Sequence, residues 1–101
     1  MSHKPRPHPL ARALQRMAPD AMIAITRQQP WYSMTFAGDR LELNLSLSGE
    51  DAAIRMQAFA DYLPEAEFTL PNMVVADIAI VRSSAEPELA TLSIEALVLE
   101  A

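Results

Sequence analysis

An α+β fold is predicted here: a four-stranded antiparallel sheet of ββαββ order with one packed helix, preceded by one or two short N-terminal helices. Three observations carry the expectation. Residues 31–48 alternate apolar and polar side chains around a Gly-Asp pair, residues 48–64 carry an apolar stripe at helical spacing, and residues 73–100 hold two β-rich runs joined around Pro87. A sheet with a helix on one face is the simplest arrangement that buries both kinds of apolar face.

The elements follow in order. Pro5, Pro7 and Pro9 alternate with polar residues, so residues 1–9 read as a flexible basic tail and residues 10–101 as a single α+β domain. Leu10, Leu14, Met17 and Ala21 then recur at helical spacing, with Pro9 suited to a first turn and Pro19 to a break. A second short helix is expected from Asp20 to about Gln28, closed by Pro30. In residues 31–48 the Gly38-Asp39 pair reads as a two-residue turn that pairs Ala37 with Arg40. That register sets Phe36, Met34 and Tyr32 opposite Leu41, Leu43 and Leu45 on one face, and Trp31 near Ser46 on the other.

Ser48 can cap the next helix, whose stripe of Ala52, Met56, Phe59 and Leu63 is expected to cover the leucine face. Pro64 ends it, and residues 67–72 are short and extended around Pro71. In the last two runs Val74, Ala76, Ile78 and Ile80 share one face, as do Leu92, Ile94, Ala96 and Val98.

The 101 residues are half hydrophobic and 21% charged, which suits a packed core and excludes a chain disordered throughout. With no Cys, the chain has no disulfide, no thiolate zinc site and no cysteine nucleophile. No apolar run approaches the ~18–20 residues of a membrane span, and no secretory leader is visible. The expected location is the cytoplasm, where virion or tail components are also assembled.

The net charge of −5 hides a division. Lys4, Arg6, Arg12, Arg16 and Arg27 against Asp20 give residues 1–30 a charge of +4, whereas residues 31–101 carry three Arg against twelve acids, or −9. Lys4, Arg6, Arg12 and Arg16 form a basic arm able to contact phosphates, with Trp31 or Tyr32 available to stack on a base. The acidic body opposes a nucleic-acid partner, so that partner is disfavoured.

The most ambiguous surface is the second face of the last two runs. It mixes Met73, Val75, Val81, Leu97 and Leu99 with Asp77, Thr91, Ser93 and Glu95, too apolar for a wet face. A partner or a second copy is expected there, in a homo-oligomer. The competing reading folds the N-terminal helices over it, with Trp31 beneath them rather than serving as an anchor for the partner; a small-ligand groove is the third.

Asp77 and Glu95 face each other in one register, and a two-residue slip pairs Asp77 with Ser93 instead; either way the carboxylates read as solvated or at an interface rim rather than catalytic. His3 and His8 fall in the tail and read as solvated. No metal-binding, phosphate-loop or nucleophile motif is present. The expectation is therefore a non-enzymatic protein–protein interaction or assembly module, with no cofactor, no metal and no membrane partner. The order hairpin, helix, hairpin resembles that of small phage tail-completion and head–tail connector proteins. That resemblance of element order implies ring-forming or heterologous assembly.

Overall fold

The structure, a computed structural model, describes residues 8–101. The expected basic tail lies outside the described residues except at His8 and Pro9, which cap and begin the first helix. Pro9 is the first residue of α1 (Pro9–Met17), and His8 caps it, its Nδ1 accepting the Leu10 N–H at 3.0 Å. Leu10 and Leu14 are fully buried, and Ala11 and Ala13 beside them let the helix lie close to the sheet. The helix stops before Pro19. There Gln15 Nε2 donates to the carbonyls of Ala18 (3.2 Å) and Ala21 (2.8 Å), tying the chain as it turns away.

A second helix does not follow. Residues 22–32 form the strand β1 (Met22–Tyr32), which pairs antiparallel with β2 (Ala37–Ser48). The β-branched pair Ile23 and Ile25 alternates towards the core, and a bulge at Thr26 then shifts the pattern, hiding the strand from simple alternation. The hairpin consequently turns at Ser33–Phe36 rather than at Gly38-Asp39. Ser33 donates its N–H to the Phe36 carbonyl (2.8 Å), and its hydroxyl accepts the Phe36 N–H (3.0 Å). Tyr32 faces Ala37 and Trp31 faces Gly38, so the expected pairing of Phe36, Met34 and Tyr32 with the leucines is replaced. Met34 and Phe36 stand exposed in the turn.

Gly38 serves close approach instead of turning. A Cβ there would collide with the Val98 carbonyl oxygen and lie 2.9 Å from the Leu99 Cα on the neighbouring strand. Gly49, at φ +114°, ends β2 and leads into α2 (Ala52–Tyr62). Asp51 is the residue before that helix and no side chain caps it, so Ser48 does not take the expected role. The stripe behaves as its spacing predicts: Ala52, Met56 and Leu63 are buried and Phe59 packs against the core.

After a 3-10 turn at Leu63–Glu65 come β3 (Met73–Glu86) and β4 (Leu89–Glu100), joined by the two residues Pro87 and Glu88. The strand order is β1-β2-β4-β3. β4 therefore inserts between β2 and β3, which run parallel to one another across the α2 crossover. Both outer strands carry bulges and β1 also carries Pro30, features that discourage edge-to-edge pairing. Leu41, Leu43, Leu45 and Leu47 of β2 and Ala90, Leu92, Ile94, Ala96 and Val98 of β4 are all buried, in one cluster with α1 and α2. Both helices thus cover the same face. The smallest dimension of the molecule, 20 Å, matches one sheet and one helix layer.

Candidate functional site

With both helices on one side, the other face of the sheet is covered by nothing among the described residues. Its composition follows from strand register, since side chains two apart share a face. Five rows cross it in the order β1, β2, β4, β3. At the end nearest the first hairpin turn the row is Trp31, Gly38, Leu99, Val74. The next is Gln29, Arg40, Leu97, Asp77, and the middle row is Arg27, Glu42, Glu95, Ala79. Ala24, Asn44, Ser93 and Arg82 follow, then Met22, Ser46, Thr91 and Ser84. None of these side chains belongs to the core cluster.

The structure separates residues that the sequence grouped. Bulges between Val75 and Asp77 and between Ile80 and Arg82 each insert one residue, so Met73 and Val75 share the helix-covered face with Ile78 and Ile80. Leu97 and Leu99 remain on the open face, Val74 joins them, and Val81 stands more than half exposed beside Arg82. Trp31 lies on this open face, so α1 is not its lid.

Polar order on the face is local. Ser93 donates to Asn44 Oδ1 at 2.9 Å, and the Ser84 and Thr91 hydroxyls are 2.9 Å apart. A shallow depression of about 350 Å³ lies between the two bulged edges, lined by Thr26, Glu42, Asn44, Arg82, Ser93 and Glu95. The carboxylate pair that forms at its rim is not the anticipated one. Asp77 faces Leu97 and Glu95 faces Ala79, while Glu95 and Glu42 stand directly opposite on adjacent strands. Like charges so placed repel. The sequence alone does not join Glu42 to Glu95, because the two lie 53 residues apart on strands whose pairing only the fold reveals.

Ion pairs within 4.0 Å among the described residues involve only Arg55, with Asp20 at 2.9 Å and Asp51 at 3.6 Å. The open face consequently holds Arg27, Arg40 and Arg82 and Glu42, Asp77 and Glu95 with none of them paired, three of each sign. The remaining described residues carry three Arg against ten acids. A neutral, partly apolar face is therefore set on an otherwise strongly acidic body.

Lys4 and Arg6 lie outside the described residues. Arg12 and Arg16 are exposed on α1, on the opposite side of the sheet from Trp31, so these cations are not brought together with that aromatic; Tyr32, the other candidate for stacking, alternates to the opposite face from Trp31 and is exposed at the end of β1. His8 is half-buried rather than solvated. Its Nε2 is buried without a partner, and burial lowers its pKa below the ordinary value, with Asp39 pulling the other way. Among the described residues no group of three or more His, Asp or Glu side chains is placed to hold a metal ion, and no helix is long and apolar enough to cross a membrane. No known protein-family model matches the chain, and no characterised protein matches it in sequence.

Proposed function

We propose that this protein is a non-enzymatic assembly module that pairs with a second copy of itself through the uncovered sheet face. The observation that carries the reading is that both helices lie on the other side of the sheet, leaving Trp31, Val74, Leu97 and Leu99 in adjoining rows without cover.

Charge supports a copy of the chain as the partner. Two such acidic molecules repel through most of their surface, but the open face is balanced and meets its own kind without net repulsion. Area supports it too: four strands by five rows present roughly 600 Å² of flat surface at ordinary strand and residue spacings, before side-chain relief is counted. A stable interface takes about 800 Å² from each partner. Both surfaces fall in the same range.

Light scattering across a wide concentration range tests the reading. The wild type is expected to double in mass as concentration rises, and Leu99→Lys to stay single while keeping its circular dichroism. A wild type of single mass at every concentration contradicts it.

A further inference from the structure

The Glu42–Glu95 opposition gives the pairing a direction. Two kinds of two-fold axis, one along the strands and one across them, bring sheet onto sheet with strands roughly aligned. In the first the axis runs along the strands between β2 and β4, so that Glu42 of one copy lies over Glu95 of the other. Four carboxylates then gather in a surface closed from water, where like charges cost most. In the second the axis crosses β2 between positions 40 and 42, and β2 lies over its own copy in the reverse direction.

We propose that the copies pair in the second way, each seating Arg40 in the depression between Glu42 and Glu95 of the other. This rests on the self-pairing reading above and adds to it the orientation and the recognition contact. Arg40 and Glu42 occupy the same face one row apart on one strand, so a single axis between them forms the contact twice. Arg27 and Arg82 already border the carboxylates within the chain: Arg27 faces Glu42 across the strand pair, and Arg82 lines the depression. Arg40, in the adjacent row towards the apolar end, is the cation free to reach across. The guanidinium fork meets carboxylates with two parallel hydrogen bonds, and Asn44, Ser93 and Thr26 around the depression offer further acceptors. The end row of Trp31, Gly38, Leu99 and Val74 falls over Ala24, Asn44, Ser93 and Arg82 of the second copy, and Arg82, exposed on the outer strand β3, keeps its guanidinium in water at the rim.

Charge reversal tests the arrangement in the full chain. Arg40→Glu alone places Glu over Glu twice, and Glu42→Arg alone places Arg over Arg twice, so each is expected to weaken pairing at least about tenfold. Mixing the two single variants restores mixed pairs, because each copy then offers what the other lacks, and the double variant restores pairing with itself. Glu42→Arg removes the opposed carboxylates within each copy but sets a second cation opposite Arg27, so thermal unfolding of both variants is measured to separate a loss of pairing from a weakened fold. Tighter or unchanged pairing of Glu42→Arg overturns the arrangement, as does failure of the mixture to pair. If Leu99→Lys separates the copies while both charge variants still pair, the sheet-face reading stands and only the orientation falls. A wild type that never pairs removes both.

Discussion

His8 shows how one residue couples the start of the fold to pH. Its Nδ1 accepts the Leu10 N–H, and a protonated imidazole has no acceptor left. Burial, only partly opposed by Asp39, holds the folded pKa below the ordinary 6.5. As pH falls the unfolded chain therefore takes the proton first, so this contribution to stability is whole above about pH 6.5 and declines below it until the folded imidazole also titrates. His8→Asn keeps a capping acceptor that does not titrate. Thermal unfolding at about pH 7.5 and 5.5 is expected to show a larger loss for the wild type than for the variant; equal losses would refute the coupling. Gly38 is the second position where one atom decides. Gly38→Ala drives a methyl into the Val98 carbonyl, so β2 and β4 must move apart at a cost of about 1–3 kcal/mol, read from the urea midpoint.

At the scale of elements, α1 belongs to the core and is no detachable arm. Leu10 and Leu14 are fully buried in the same cluster as the central strands. Leu14→Ala is expected to destabilise the protein by about 2–5 kcal/mol in chemical denaturation. Exchange of the exposed Arg12 and Arg16 for Gln should leave stability within about 0.5 kcal/mol, the range of surface substitutions. Those two exchanges, rather than removal of the helix, separate a phosphate contact from a folding defect: a salt-sensitive nucleic-acid gel shift lost in them would revive the arm as a binding element.

Legibility from sequence varied with how local each signal was. The α2 stripe, the break at Pro19 and the buried face of β4 depend on spacing within one element and stand in the residue order. Residues 22–28 of β1 read as helix because the bulge at Thr26 breaks the alternation after Ile23 and Ile25, and Arg27, Gln28 and Gln29 add no apolar beat. The Gly38-Asp39 pair misled for a related reason: Gly38 satisfies a close approach from β4, a strand whose position no local pattern encodes. The same limit divided the candidate face. One residue added at Ala76 exchanges the faces of everything before it, moving Met73 and Val75 to the core side and Val74 to the open side.

For the whole molecule, the decisive fact is a two-layer architecture in which neither helix serves the second face of the sheet. An acidic body limits indiscriminate association, and a balanced face with apolar residues at one end permits association at one place. Trp31 reports on that place directly, being the only Trp in the chain and lying in its apolar end row. Its fluorescence can therefore be followed while mass is measured on the same samples. If copies pair through the open face, emission shifts to shorter wavelength and quenching by acrylamide falls over the concentration range in which the mass doubles, and neither change occurs in Leu99→Lys. A doubling of mass that leaves Trp31 as accessible as before would contradict the account.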